Sequence, residues 1–102
     1  MAFGYRNSGR HALAIEYYIQ AIEKFEQSND TMMLAHSYNR IAFAYAHLEM
    51  FDKSVEMHEK SIAIWQQLND KETLINAYNS VVFPYFYTKN YSKAREYMKL
   101  AI

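Results

Sequence analysis

The sequence of 102 residues contains no cysteine, only two glycines and a single proline. Without cysteine the chain forms neither disulfide bonds nor thiolate metal sites, and this composition is typical of the cytoplasm, where we expect the protein to act. So little glycine and proline leaves few residues that favour the tight turns of β-hairpins. The composition therefore favours a helical fold, and 51% hydrophobic residues are enough to form a globular core.

Net charge and long apolar segments are also lacking. Eleven basic residues balance eleven acidic ones, so the formal net charge is zero. Proteins that bind nucleic acids or anionic membranes rely on an excess of positive charge, so we expect neither as a partner. No window approaches the roughly 18 consecutive apolar residues that indicate a transmembrane helix. Aromatic residues, by contrast, are abundant and make up 17% of the chain.

An internal repeat with a period of forty residues organises the sequence. A repeat of this length is typical of stacked-repeat proteins. We expect one repeat domain over residues 1–102, with a partial repeat in 1–30, a full repeat in 31–70 and a further repeat in 71–102, as a fragment of a longer array. The residues Tyr38, Asn39, Ile41, Ala42, Phe43 and Tyr45 align with Tyr78, Asn79, Val81, Val82, Phe83 and Tyr85, and the first of the three segments adds Phe3 and Tyr5.

Apolar residues at steps of three and four predict amphipathic helices over about 11–27, 31–48, 52–68, 71–87 and 91–102. Gly9 and Arg10 are predicted to form a turn before the first of them, and Asn29 or Asp30 to cap the second. Pro84 is predicted to bend the fourth helix, since it removes a backbone donor. The predicted core-facing residues of the second and third helices are Met33, Leu34, Tyr38, Ile41, Ala42, Tyr45, Val55, His58, Ser61, Ile62, Trp65 and Leu68.

This pattern resembles the tetratricopeptide repeat family, here with a period of forty residues instead of about thirty-four. The resemblance implies an all-α fold, a right-handed α-solenoid of antiparallel helix pairs whose first helices line a concave groove. The turn glycine of the family is present only as Gly9, with Glu49 and Lys89 at the later positions. The family motif is matched on first helices by Tyr38, Ile41, Ala42, Tyr45 and by Tyr78, Val81, Val82, Tyr85, and on second helices by Ser54, His58, Ser61, Ile62 and by Ala94, Met98, Ala101, Ile102.

The same register predicts which residues face the groove. Asn39 and Asn79 form one row and Phe3, Phe43 and Phe83 form another, so asparagine amides could pair with a peptide backbone while aromatic rings hold its side chains. In the alternative interpretation, the asparagines brace neighbouring helices and the phenylalanines pack at a rotated helix interface. The predicted peptide-binding residues are Asn39, Phe43, His47, Asn79, Phe83, Tyr87, Phe3, His36, Arg40 and Asn76.

Catalytic and metal-binding motifs are missing from the sequence. The four histidines form no His-Glu-x-x-His motif, and neither a phosphate-binding glycine loop nor a nucleophile elbow is present. We therefore expect no enzyme activity, no cofactor and no metal. The sequence favours a non-catalytic protein–protein interaction module that binds a protein or peptide ligand. The alternative is a structural scaffold segment that forms a homo-oligomer through exposed terminal helices, at residues 1–5 and 91–102.

Overall fold

The computed structural model describes the backbone of residues 2–102 and the side chains of residues 9–102. The backbone of this range is helical and contains no strand, which confirms the predicted all-α fold. No helix within it is both long and apolar enough to cross a membrane. The five helices are α1 (Ala2–Ser28), α2 (Thr31–His47), α3 (Phe51–Leu68), α4 (Lys71–Tyr87) and α5 (Tyr91–Leu100).

The predicted turn at Gly9 and Arg10 is wrong, because α1 continues through both residues. The family's turn position needs a positive φ, which Gly9 does not adopt. Glycine inside a helix costs about 1 kcal/mol relative to alanine, and the backbone hydrogen bonds formed on both sides of Gly9 offset that cost. A single glycine therefore does not interrupt this helix.

The helices pack in chain order. Each helix lies against the one before it and the one after it, and connections of two or three residues reverse the chain between them. The result is a flat array with principal extents of 41 × 36 × 18 Å. Helix α3 packs against both α2 and α4, and residues of those two helices line one shared space. The space between α2 and α4 is where the candidate site lies.

Each of the helices α1 to α4 is followed by a turn that contains one residue with left-handed backbone geometry. Asn29, Glu49, Asn69 and Lys89 have φ values of 57°, 61°, 57° and 63°. At the end of α2, the Met50 amide donates to the Tyr45 carbonyl at 2.9 Å and the Glu49 amide to that of Ala46 at 2.9 Å. This pair of bonds is the Schellman motif, which favours glycine at the left-handed position.

The starts of α2 and α4 are capped by aspartate side chains, as the sequence predicts for Asp30, whereas Met50 at the start of α3 provides no side-chain cap. The Asp30 carboxylate accepts from the Met33 amide at 3.3 Å. Asp70 caps α4 in the same way, accepting from the Thr73 amide at 3.2 Å and from its hydroxyl at 2.9 Å. Each such cap satisfies an amide that has no partner within its helix.

Small residues bring α2 and α3 close together. The Ser54 hydroxyl donates to the Ala42 carbonyl at 2.7 Å, and the Ser61 hydroxyl donates to the Ala35 carbonyl at 2.9 Å. Both serines are completely buried, so each hydroxyl meets its hydrogen-bonding need across the interface.

Most of the predicted core and motif residues are buried or half-buried, and four are not. Met33, Leu68, Met98 and Ile102 are exposed. Met33 and Leu68 lie in terminal turns of their helices. On α5, Tyr97 is buried in place of the predicted Met98. The buried residues that the sequence did predict are Ile41, Ala42, Tyr45, Ser54, His58, Ser61, Ile62, Trp65, Tyr78, Val81, Tyr85 and Ala94.

A carboxylate on α3 joins α4 and α5. The hydroxyls of Tyr85 and Tyr97 donate to the same Glu59 Oε1 atom, at 2.5 Å and 2.6 Å, and their rings stack with centroids 5.7 Å apart. Burial, followed by the hydrogen bond to Glu59, raises the pKa of both tyrosines above the ordinary value of 10.0. The packing of α4 and α5 against α3 therefore includes two hydrogen bonds to one carboxylate, and both require a neutral phenol.

We predict that Glu49→Gly and Lys89→Gly each stabilise the protein. A residue other than glycine in the left-handed conformation lowers stability by roughly 1–2 kcal/mol. Glycine avoids this strain, but part of the gain is lost because glycine gives the unfolded chain more conformational freedom. Each substitution should therefore raise the free energy of unfolding, measured by urea denaturation, by about 0.5–1 kcal/mol. Asn29→Gly is the matched control and should change stability little, because asparagine tolerates this conformation. Loss of stability in both glycine variants would contradict the explanation.

We also predict that alkaline pH destabilises the fold through Tyr85 and Tyr97. Their pKa values are raised in the folded protein, so the stabilisation is complete below pH 10.0 and is lost as pH rises towards the folded-state pKa values. Urea denaturation between neutral pH and pH 11 should show a steeper decline for the parent than for a Tyr85→Phe, Tyr97→Phe variant. Tyr17→Phe, which alters an exposed tyrosine, should behave as the parent. An unchanged alkaline slope in the double variant would exclude these two phenols as its cause.

Candidate functional site

A groove runs between α2 and α4, and we call it the α2–α4 groove. Phe43 and Ala46 line it from α2, and Phe83 and Pro84 line it from α4. Phe43 is 43% exposed and Phe83 is 72% exposed, whereas Pro84 is buried at the base. Helix α4 remains continuous through Pro84. Two large aromatic side chains are therefore partly in solvent on opposite helices that border one apolar groove.

The groove has an inner and an outer part. The inner part has a volume of about 310 Å³ and adds His58, Asn79 and Ser80 to the four shared residues. The outer part has a volume of about 550 Å³ and adds His47, Glu49, Phe51 and Tyr87. Volumes of this size are in the range of ligand-binding clefts.

Helical register explains why the phenylalanines lie in the groove. Phe43 follows the fully buried Ala42, which packs against α3, so the next side chain along the helix is rotated by about 100° away from that interface. Phe83 lies forty residues later on α4 and has the equivalent position. At the outer end, the rings of Phe51 and Tyr87 stack with centroids 4.4 Å apart.

A hydrogen bond between two side chains lies beneath the inner part. His58 Nδ1 lies 3.1 Å from Asn39 Oδ1, and the Phe43 ring meets the imidazole edge-on with centroids 5.2 Å apart. His58 is 1% exposed, and burial lowers its pKa from 6.5 to about 4. The imidazole is therefore neutral at physiological pH. With the amide oxygen of Asn39 as acceptor, Nδ1 carries the ring proton.

Five of the predicted peptide-binding residues come together in the groove. They are Phe43, His47, Asn79, Phe83 and Tyr87.

The other predicted residues lie elsewhere or are already engaged. The half-buried Asn39 is bonded to His58, as in the alternative interpretation in which an asparagine braces a neighbouring helix. His36 packs edge-on against Trp65 with centroids 4.9 Å apart. Arg40 is exposed away from the groove. Asn76 is exposed, and its backbone carbonyl accepts from the Ser80 hydroxyl. The Phe3 side chain lies outside the described residues.

Comparison with protein families identifies the repeat. A tetratricopeptide repeat model matches residues 33–102, and a second tetratricopeptide repeat model matches residues 5–23. The chain belongs to the tetratricopeptide repeat family. A comparison with curated proteins gives no significant match. Tetratricopeptide repeats are in general protein–protein interaction modules, so the fold is one that serves binding.

Several residues that line the groove are not among the predicted peptide-binding residues, His58 and Phe51 among them. His58 aligns with Tyr18 and Met98 of the neighbouring repeats, and the sequence predicts it only as core. Phe51 lines the outer part of the groove, where its ring stacks on that of Tyr87. The available signal for His58 was its polarity at an otherwise apolar position.

No metal centre accompanies the groove. Among the side chains of residues 9–102, no group of three or more histidine, aspartate or glutamate residues is arranged to hold a metal ion. The rings of His11 and His47 stack in parallel with centroids 4.4 Å apart at the α1–α2 interface. Aromatic, aliphatic and amide side chains line the groove and offer apolar contact and hydrogen bonding.

We predict that acid destabilises the protein through His58. Its pKa is lowered in the folded state, so the stabilisation is complete above pH 6.5 and is lost as pH falls through about 4. The loss should be roughly 3 kcal/mol, since each unit of pKa shift corresponds to about 1.4 kcal/mol. Urea denaturation over this pH range measures the effect.

Two variants separate His58 from the other ionisable groups. His58→Phe keeps an aromatic residue at the buried position and should flatten the decline between pH 6.5 and 4. His36→Gln removes a histidine of α2 that lies apart from the stacked His11–His47 pair and should leave the decline as in the parent. The same slope in His58→Phe and in the parent would show that other groups cause the acid sensitivity.

Proposed function

We propose that this chain is a non-catalytic, cytoplasmic interaction module that binds a peptide segment of a partner protein in the α2–α4 groove. One observation carries the proposal. Phe43 and Phe83 are 43% and 72% exposed on the two helices that border an apolar groove. Exposed aromatic residues that line a concave surface are typical of protein-binding sites.

Aromatic residues in the groove would provide most of the binding energy. Phe83 and Tyr87 are 72% and 64% exposed, so a ligand that covers them removes much apolar surface from water. Large aromatic side chains frequently dominate the energetics of protein interfaces. The outer part of the groove, where Phe51 and Tyr87 stack, extends this surface beyond the inner part.

Polar groups at the rim would orient the peptide. Asn79 is exposed beside Phe83, and its amide offers both an acceptor and two donors to a peptide backbone. Asn39 has its oxygen committed to His58, so the two asparagines of the predicted row have different roles. In this proposal Asn79 contacts the peptide, and Asn39 holds the imidazole beneath it.

We predict that the purified chain enriches a defined peptide class from a random peptide library. A fluorescent copy of an enriched peptide then serves as the probe for direct binding measurements. Phe83→Ala should weaken binding by about thirtyfold, the loss expected when a central aromatic contact worth about 2 kcal/mol is removed. Asn79→Ala should weaken it by about fivefold, as one hydrogen bond predicts.

Phe86→Ala is the matched control for Phe83→Ala. Phe86 is on the same helix and 51% exposed, but it lines neither part of the groove. Its truncation should leave affinity within about twofold, and unfolding measurements should show all three variants as stable as the parent. Equal losses for Phe83→Ala and Phe86→Ala, or no loss for either, would place binding outside the groove.

A second candidate function is a scaffold segment that associates with copies of itself. Leu13 and Tyr17 lie four residues apart on one face of α1 and are 59% and 72% exposed. On α5, Met98 and Leu100 are also exposed. Sedimentation of the same sample separates the two candidates, because concentration-dependent assembly that Tyr17→Lys abolishes would favour self-association, and a monomer would exclude it.

A further inference from the structure

An unpaired nitrogen lies beneath the inner part of the α2–α4 groove. His58 is fully buried, and its Nε2 has no hydrogen-bond partner among the described residues. Buried polar atoms are nearly always paired, because an unpaired one forfeits its hydration without compensation. An unpaired atom in a residue that borders a groove therefore points to a group that the groove receives from outside.

The pairing of the other ring nitrogen defines what that group must be. Nδ1 lies 3.1 Å from Asn39 Oδ1, and an amide oxygen only accepts hydrogen bonds. The ring proton of the neutral imidazole is therefore on Nδ1, and Nε2 presents a lone pair. The complementary ligand group is a hydrogen-bond donor.

His58 lines the inner part of the groove, and its Nε2 is buried there without a partner in the part of the chain that the structure describes. Nδ1 is directed towards Asn39, which lies one helical turn nearer the start of α2 than Phe43. The α2 residues that line the inner part, Phe43 and Ala46, both follow Asn39 along the helix. Phe43 packs against the imidazole, and because it is partly exposed its ring can rotate to admit a ligand.

The surroundings select an aromatic and uncharged donor. Phe43 and Phe83 offer ring surfaces on α2 and α4, against which another ring packs favourably. None of the residues that line the inner part is acidic, so an ammonium group would lose its hydration there without a counter-charge. A phenol satisfies both conditions. Its oxygen can in addition accept from the Asn79 amide, which borders the same part of the groove.

We infer that the inner part of the α2–α4 groove receives a tyrosine side chain of the bound peptide, whose hydroxyl donates a hydrogen bond to His58 Nε2. The inference rests on the proposed function, which supplies the peptide. A phenylalanine in the same place would leave Nε2 unpaired, so the groove would distinguish the two residues by one hydroxyl.

The first test uses fragments in place of a peptide. p-Cresol and its methyl ether share the substituted ring and the oxygen, but the ether carries one more methyl group and only p-cresol can donate a hydrogen bond. Heteronuclear NMR of the His58 ring should first show the proton on Nδ1, and then a shift of the Nε2 resonance as p-cresol is added. p-Cresol should bind at least about fivefold more tightly than its methyl ether, the effect of one hydrogen bond. A proton on Nε2 in the free protein, or equal affinity for the two fragments, would overturn the inference.

The second test removes the acceptor. His58→Phe keeps a ring at this position, where the first repeat carries Tyr18, and it should bind p-cresol and the methyl ether equally well. A preference for p-cresol that persists in this variant would assign hydroxyl recognition to another group and overturn the inference. Should His58→Phe not fold, the ring resonances of the parent protein still decide the question.

The third test joins the inference to the proposed function. Peptides recovered from the library are synthesised with tyrosine, phenylalanine or O-methyltyrosine at the enriched aromatic position. Tyrosine should be preferred about fivefold or more over the other two. Equal affinity for all three overturns this inference and leaves the proposed function standing. Failure of the library to yield any peptide that binds overturns the proposed function, while the fragment titrations still report on the chemistry at His58.

Discussion

Two serine hydroxyls that bond across the α2–α3 interface set the relation between these helices, and the groove depends on that relation. Ser54 and Ser61 donate to the carbonyls of Ala42 and Ala35, and both serines are completely buried. A slip of one helix along the other would leave both hydroxyls without a partner in an apolar interior, at a cost of about 1–3 kcal/mol for each. Two such bonds, about two helical turns apart, hold a single register.

That register also determines the polar contact beneath the groove. Ser54, His58 and Ser61 follow one another at steps of four and three, so they share one face of α3. The bonds made by the serines therefore bring His58 opposite Asn39 and beneath Phe43. Because α4 packs against α3 beside α2, it brings Phe83 to the opposite side of the same space. A close helix interface and a binding groove thus follow from the same contacts.

The sequence predicts the helices well because its signals there are local. Apolar periodicity gives the helices, and the Asn-Asp pairs at 29–30 and 69–70 give the breaks between them. The error at Gly9 arises because a glycine favours a turn only where the surrounding chain needs a positive φ. Tyr97 displaces Met98 from the core because its hydroxyl reaches Glu59, a contact between helices that the repeat does not encode. The repeat also predicts that Phe43 and Phe83 line one groove. It does not predict the role of His58, because that role depends on which ring nitrogen is already paired in the folded protein.

His58 gives one repeat a ring-nitrogen hydrogen-bond acceptor that the equivalent positions of the other repeats lack. Its equivalents forty residues away are Tyr18 on α1 and Met98 on α5, and neither offers a ring nitrogen with a free lone pair. The aromatic walls of the groove recur with the period, whereas the acceptor beneath them occurs in one repeat. A stacked array of similar helix pairs can acquire a preferred position for one ligand side chain by such a substitution, since a single buried polar residue makes one segment of an otherwise apolar groove different from the next. Such a substitution makes folding less favourable, because the imidazole must stay neutral and Asn39 must be turned towards it. Specificity in this fold therefore arises where the sequence departs from its own repeat.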